Sequence, residues 1–237
     1  MIKYLKIFFI NLFILYFFLY IVELIINYKN KNLFKKTRLY YLNKEAKKNL
    51  DKKIYLNFPG YKLLGEKKQL ILPLSGYENS KILLCLDEIN KPIYFESDQF
   101  GFNNKVKNNL ENILLIGDSY VQGLCVHTDY NLNGQLKNFN LNTTSFGIAG
   151  NGPLFEYASF KEYGPYYKYN KVVLLITPDN DFYDLSKEIK NEILNKYLEN
   201  EKFNQNLPSE TKKKLKKKIL NNYFGKKTKR FANDFFA

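Results

Sequence analysis

The sequence has few of the residues from which metal and cofactor sites are commonly built. Among 237 residues there are one histidine, His127, and two cysteines, Cys85 and Cys125. No group of residues has the spacing of metal ligands, and no glycine-rich loop matches a nucleotide-binding motif. The sequence therefore predicts a protein without a metal ion or an organic cofactor.

Tryptophan is absent, whereas lysine, asparagine, isoleucine, phenylalanine and tyrosine are abundant, a composition typical of AT-rich genomes. The 37 Lys and Arg against 23 Asp and Glu give a formal charge of +14, which usually indicates a polyanionic partner. Because no nucleic-acid-binding motif accompanies the charge, we attribute it to compositional bias and predict no nucleic-acid partner. The lysine run Lys212–Lys218 is either an anion-binding surface or, more simply, a solvated helix face.

One long apolar run, Ile7–Ile26, is interrupted only by Asn11 and Glu23. A helix of about 20 residues spans the hydrocarbon core of a bilayer. A cleaved signal peptide has a shorter apolar region and a small-residue cleavage site, and neither is found here. Residues 1–28 are therefore predicted to be an uncleaved transmembrane signal anchor.

The rest of the chain divides into three segments. Residues 29–53 are polar and basic, as in a juxtamembrane spacer. Residues 54–110 alternate short apolar runs with Pro, Gly and Asn turns, which predicts a small β-rich accessory region. Residues 111–237 alternate strands and helices, which predicts an α/β core with a parallel, doubly wound sheet. The helices of this core are predicted at Leu132–Phe139, Pro153–Tyr163, Ser186–Leu198 and Ser209–Tyr223.

Three strand-then-loop units of the core carry polar or small residues where the strand ends. The first is Ile113–Ile116, an apolar run typical of a strand buried on both faces, followed by Gly117-Asp118-Ser119. In open α/β sheets, ligands bind at the carboxyl ends of strands. The alternative is a purely structural role for this tripeptide, as a turn with a helix cap.

The second unit, Thr144–Pro153 (TSFGIAGNGP), runs from a strand end into several glycines. The third, Val172–Leu185 (VVLLITPDNDFYDL), is predicted to be a buried strand followed by a loop with Asn180-Asp181. Together the three units resemble the SGNH (GDSL-like) hydrolase family. With SDQFGFNN at Ser97–Asn104 and GNGPLFEYASFKEY ending at Tyr163, the resemblance extends from about Ile82 to Leu207 and favours a bacterial, membrane-anchored branch.

This resemblance implies a three-layer, flavodoxin-like parallel sheet and a set of site residues. Ser119 resembles the nucleophile, and the Gly150 amide and the Asn180 side chain resemble the oxyanion donors beside the Ser119 amide. Gly147 is the alternative to Gly150. Gly117, Asp118 and Asp181 would support the loops: Asp118 by hydrogen-bonding the turn, and Asp181 by anchoring the third loop.

The fourth motif of the family, a D-x-x-H that supplies the general base, does not occur in the sequence. We therefore expect either that the sheet, which has only three visible core strands, is C-terminally incomplete, or that the protein is not a competent hydrolase. His127 lies eight residues after Ser119 and is interpreted as a surface loop residue. The expected function is hydrolysis of an acyl or acetyl ester, on a glycan for example. The alternatives are a non-catalytic binding or assembly module, and a sugar O-acyltransferase.

The orientation of the anchor and the state of the cysteines depend on one another. More lysines follow the apolar run than precede it, which by the charge rule favours a cytoplasmic domain. The resemblance implies an exported, periplasmic domain instead, and we prefer that interpretation. The two cysteines are either unrelated buried residues or, as the family branch implies, a Cys85–Cys125 disulfide in an oxidising compartment.

Overall fold

The structure is a computed structural model that describes residues 6, 9–29, 54–65, 69–104 and 112–234, with the side chains of the last helix described as far as Asn222. The predicted spacer 29–53 lies outside the described residues except for Lys29. Helix α1, Phe9–Lys29, has 21 residues and a mean hydropathy of 2.4, and its apolar side chains are exposed. By length and composition it is able to span a membrane. It is the one such helix in the described part of the chain.

The first sheet is small and mixed. It contains β1 (Ile54–Leu56), β2 (Lys81–Leu86) and β3 (Pro92–Glu96), with β2 in the centre. Strand β1 pairs with β2 in parallel, and β3 pairs with β2 in the antiparallel direction. The apolar run Leu70–Leu74 is not a strand, although three of its residues are buried in the core.

The second sheet is entirely parallel. It contains β4 (Asn112–Gly117), β5 (Thr143–Gly147) and β6 (Tyr169–Leu174) in the order β5-β4-β6. The predicted parallel sheet is therefore present in three strands, and the chain is a mixed α/β protein. Because β4 is central, Leu114 to Ile116 are buried, as the unbroken apolar run predicted.

Strand β6 is not buried, which corrects the sequence interpretation of Val172–Leu185. Val172, Val173 and Leu174 are 44%, 41% and 50% exposed. The physical reason is that β6 is an edge strand, with β4 as its one described neighbour, and that the helices connecting β4 to β5 and β5 to β6 pack on β4 and β5 instead of covering the faces of β6. An apolar run predicts a strand, but it does not tell whether the strand has neighbours on both sides.

The helices follow the predicted alternation with one substantial difference. Helices α2 (Ser119–Gln122) and α3 (Leu132–Asn138) connect β4 to β5, and α4 (Pro153–Tyr163) connects β5 to β6. The predicted helix Ser186–Leu198 is wrong in extent. The structure has two helices there, α5 (Asp181–Glu188) and α6 (Glu192–Glu199).

The break between α5 and α6 is caused by Asn191. Its side chain accepts hydrogen bonds from the Ile193 and Leu194 amides, so that a new helix begins there. Ser186 is not an N-cap, because it lies inside α5 and its hydroxyl donates to the Tyr183 carbonyl. The last helix, α7 (Glu210–Asp234), is longer than predicted.

A single buried cluster joins the two sheets. It contains Ile82 and Phe95 from the first sheet and Leu114 and Phe146 from the second, together with side chains from the helices. The two sheets therefore share one core. A disulfide between Cys85, on β2, and Cys125, just after α2, adds a covalent link between these regions, with Cα atoms 5.3 Å apart. This is the pairing that the family resemblance implies.

Candidate active site

The site begins where β4 ends and α2 starts. Gly117 is the last residue of β4, and Ser119 is the first residue of α2. Asp118 is the N-cap, and its Oδ1 accepts from the Tyr120 amide at 3.0 Å. The helix-cap interpretation of Asp118 is thus correct, but it leaves Ser119 half-buried with its hydroxyl directed at the Asp118 carboxylate.

Asn180 is brought to the same carboxylate from the end of β6. Its Nδ2 donates to Asp118 Oδ2 at 3.2 Å, and Ser119 Oγ lies 3.4 Å from the same oxygen. Parallel strands β4 and β6 are neighbours, so their carboxyl ends meet at one edge of the sheet. The residues resembling the first and third family motifs, 62 positions apart for Asp118 and Asn180, are therefore adjacent in space.

Asp181 fixes the loop that carries Asn180. Its Oδ2 accepts from the Thr177 amide at 2.6 Å, and its own amide donates to the Thr177 carbonyl at 3.0 Å. This reciprocal pair closes the turn from Thr177 to Asp181 and holds Asn180 inside it. Asp181 is fully buried, and burial raises the pKa of its carboxyl group.

The two glycines proposed for the second motif have different environments. A Cβ added to Gly147 would lie 2.0 Å from the Gln122 amide nitrogen, because the end of β5 packs directly on the backbone of α2. Gly150 has a φ of +73°, which favours glycine, and the ring of Tyr61 packs against it. No described residue accepts a hydrogen bond from the Gly150 amide. Gly147 is thus explained by packing, whereas Gly150 presents an unused donor.

His127 lies on an exposed turn after α2. Its carbonyl accepts from the amides of Tyr130 and Asn131. Among the described contacts its imidazole forms no hydrogen bond with Ser119. The prediction that His127 is a surface residue agrees with this position.

Two buried glutamates, absent from the sequence-based site, lie behind these loops. Glu188 accepts from three amides at the start of α4: Gly152 at 2.6 Å, Leu154 at 3.0 Å and Phe155 at 3.3 Å. Its carboxyl oxygens therefore satisfy the free amides at the start of α4, and these hydrogen bonds oppose the burial that raises the pKa of Glu188.

Glu156 is equally buried and has the opposite surroundings. Neither of its carboxyl oxygens has a hydrogen-bond partner among the described residues. Burial raises its pKa to about 9, and the carboxylates of Asp181, Asp118 and Glu188 add to this effect by repulsion. Glu156 is therefore a neutral carboxylic acid at pH 7, placed among the groups that hold Ser119 and Asn180.

Gln122 connects α2, the helix that begins at Ser119, to Asn57, the residue after β1. Its Nε2 donates to Asn57 Oδ1 at 2.8 Å, and its Oε1 accepts from Asn57 Nδ2 and from the Ala149 amide at 3.2 and 3.1 Å. Asn103 Nδ2 donates to the Gln122 carbonyl at 2.9 Å. All three side chains are buried, so they form an internal polar network.

The loop Ser97–Asn104 completes the frame around the site. Asp98 Oδ1 accepts from three backbone amides of the loop, and its Oδ2 accepts from Asn104 Nδ2 at 2.7 Å. Asn104 in turn bonds both the amide and the carbonyl of Ser145 on β5. The loop therefore braces β5 and, through Asn103, α2.

The arrangement offers a serine hydroxyl, an oriented carboxamide and unused backbone amides at the carboxyl edge of a parallel sheet. A serine hydroxyl becomes a nucleophile when a base takes its proton, and carboxamide and amide N–H groups can bind an oxyanion. Within the described residues, no group of three or more His, Cys, Asp or Glu side chains is placed to hold a metal ion. No family model, curated protein or solved structure matches the chain.

Proposed function

We propose that this protein is a membrane-anchored serine esterase that removes an acyl or acetyl group from an ester, with a glycan as the carrier of that group. The observation that carries the proposal is the convergence of Ser119 Oγ and Asn180 Nδ2 on Asp118 Oδ2, at the carboxyl ends of adjacent parallel strands. A second support is the SGNH-like order of the three motifs along the chain.

In the proposed reaction Ser119 Oγ attacks the ester carbonyl while its proton passes to Asp118 Oδ2, the described acceptor 3.4 Å from the hydroxyl. The tetrahedral intermediate then collapses: the ester C–O bond breaks, the alcohol leaves with that proton, and water later hydrolyses the acyl group from Ser119. Three donors would bind the oxyanion of the intermediate: the Ser119 amide at the start of α2, the Gly150 amide and the Asn180 carboxamide. Loss of one such donor typically costs ~2.7–4 kcal/mol of transition-state stabilisation. Asp118 orients the nucleophile and the carboxamide, since its oxygens are engaged by Tyr120, Asn180 and Ser119.

The strand order is consistent with the three-layer SGNH fold that we propose for the core. If the three strands β4, β5 and β6 are numbered 1, 2 and 3 along the chain, their order across the sheet is 2-1-3. A flavodoxin-like, doubly wound sheet begins with the same order. The ligand site of such a sheet lies at the switch point between strands 1 and 3. Ser119 follows the first of these strands and Asn180 the other.

We further propose that α1 anchors the protein and that the domain faces the periplasm. The Cys85–Cys125 disulfide supports export, since disulfides persist in oxidising compartments. Mass spectrometry of non-reduced protein from membranes tests this: a single bridged peptide is expected. Two thiols available for alkylation would contradict the proposed orientation.

A fluorophosphonate probe tests the nucleophile directly. We expect the full chain in detergent to be labelled at Ser119, and Ser119→Ala to abolish labelling. Asn180→Ala should slow labelling by ~100-fold or more, because the carboxamide would no longer bind the developing oxyanion. Ser186→Ala is the matched control, since Ser186 is an exposed serine on α5 that contacts no site residue.

A non-catalytic binding module of the same fold is the second candidate. The position of His127 favours it, because this residue lies on an exposed turn and, among the described contacts, its imidazole forms no hydrogen bond with Ser119. A wild-type protein that is folded yet neither reacts with the probe nor hydrolyses esters would support this candidate and reject the esterase. Transfer of the acyl group to a sugar hydroxyl would use the same residues. It is distinguished by adding a sugar acceptor and identifying the product.

A further inference from the structure

A cavity of about 330 Å³ lies between the start of α7 and the turn before β2. This volume falls within the range of small-molecule sites, at its lower end. Tyr77 and Leu220 supply apolar walls, and the remaining lining is polar, with Asn79 and Ser80 from the turn. Four lysines and two glutamates also line the cavity: Lys213, Lys214, Lys216, Lys217, Glu78 and Glu210.

Lys216 forms a rigid base for the cavity. Its side chain is 2% exposed, and its ammonium group has three acceptors: Glu78 Oε1 at 2.7 Å, Ser75 Oγ at 3.0 Å and the Phe100 carbonyl at 3.1 Å. Every N–H of Lys216 is therefore used within the protein. This lysine holds α7 against the turn and leaves the Glu78 carboxylate neutralised.

Lys214 and Lys217 at the rim are different, because neither forms an ion pair with a described carboxylate. Lys213 pairs with Glu210 at 3.1 Å, but the Glu210 side chain is 81% exposed and the pair is weak. Positions 213 and 214 each lie three or four residues from both 210 and 217, so all four positions share one face of the helix. Their charges therefore converge on the cavity and leave it with an excess of positive charge.

We propose that this cavity binds a small anionic ligand, a sugar-sized molecule that carries a carboxylate or phosphate group, with Lys214 and Lys217 as the residues that bind the anion. The apolar walls would contact the body of the ligand, and Asn79 would offer its carboxamide to the hydroxyl groups. The proposal is independent of esterase activity, because it depends on no residue of the Ser119 site. It assigns a role to part of the lysine run 212–218.

Isothermal titration calorimetry on the full chain in detergent micelles tests the proposal with three probes that share one ring. Glucuronate carries a carboxylate, glucose 6-phosphate carries a phosphate, and glucose is neutral. We expect at least one charged probe to bind. Glucose should bind at least ~10-fold more weakly than that probe. Lys214→Gln with Lys217→Gln should weaken the charged probe by ~10-fold or more, because two charge-assisted hydrogen bonds are lost.

Lys212→Gln with Lys218→Gln is the matched control. It removes the same charge from the same helix, but neither residue lines the cavity. We expect this control to change affinity by less than ~2-fold. Equal weakening by both double variants would show that only the overall charge of α7 matters, and would overturn the proposal. Failure of both charged probes to bind, or equal binding of glucose, would also overturn it.

Discussion

Glu156 makes a prediction about stability and pH that can be worked through from the structure. Its carboxyl group is fully buried without a hydrogen-bond partner among the described residues, and burial raises its pKa to about 9 from an ordinary value of 4.5. In the unfolded chain it loses its proton near the ordinary value. Between these two pKa values the folded state therefore holds one more proton than the unfolded state.

The sign of the effect follows from this proton. Because the unfolded state binds fewer protons in this window, the contribution of Glu156 to stability falls as the pH rises from about 4.5 to about 9. One proton corresponds to ~1.4 kcal/mol per pH unit. Over two pH units, from 6 to 8, Glu156 should thus lower the free energy of unfolding by roughly 2–3 kcal/mol.

Glu156→Gln removes the titration while keeping the shape of the side chain. We expect the free energy of unfolding of this variant to fall less than that of the wild type between pH 6 and 8, by roughly 2–3 kcal/mol. The measurement is urea denaturation of the full chain in detergent, followed by circular dichroism at each pH. Glu201→Gln, at an exposed glutamate, should reproduce the wild-type pH dependence. Equal pH dependence in Glu156→Gln and the wild type would refute the conclusion that Glu156 is buried as the neutral acid.

Three further predictions concern the other contacts of this core. Glu188→Gln should lower the free energy of unfolding by ~2–4 kcal/mol, since three helix amides share its carboxylate, as measured by urea denaturation at pH 7; an unchanged midpoint would contradict this. Cys85→Ser with Cys125→Ser should lower it by roughly 3–4 kcal/mol, because the bridge closes a loop across a sequence separation of 40; equal stability of reduced and oxidised wild type would argue against this. A fragment starting at Asn30 should self-associate through the exposed edge of β6, and Val173→Lys should reduce this in analytical ultracentrifugation. A wild-type fragment that stays monomeric would contradict this prediction.

Two of the strands, β2 and β4, are short apolar runs bounded by turn residues, which is why they could be predicted. The run Ile113–Ile116 is one residue shorter than β4 at each end, and the run Ile82–Leu86 is one residue shorter than β2 at its start. The burial of β6 was overestimated because an apolar run does not say how many neighbours a strand has. The extent of Ser186–Leu198 was wrong because Asn191 fits a helical pattern in sequence, whereas its side chain caps a new helix.

Some residues of the site could be predicted from the sequence around them, and others could not. Ser119, Asp118 and Asn180 could be proposed because each lies in the loop after a predicted strand and belongs to a motif that resembles the SGNH family. Glu156 and Gln122 could not, since the burial of Glu156 and the hydrogen bonds of Gln122 depend on residues far along the chain. Gln122 bonds Asn57, 65 residues earlier, and nothing in the sequence near either residue signals that pairing.

The first sheet has a larger part in the site than an accessory region would have. The short helix α2 has four residues and, on its own, too few hydrogen bonds to hold Ser119 in place. It is fixed at its far end by two connections to the first sheet. Gln122 bonds Asn57, which follows β1, and Cys125 is bonded to Cys85 on β2.

These two connections link the first sheet to the segment that follows Ser119. The buried cluster runs through both sheets, and the segment after Ser119 is tied to strands that precede it by 30 residues or more. A change at Asn57 or Cys85 would therefore act on the position of Ser119 although neither residue contacts it. On this argument, residues 54–104 belong to the structure that positions the proposed nucleophile.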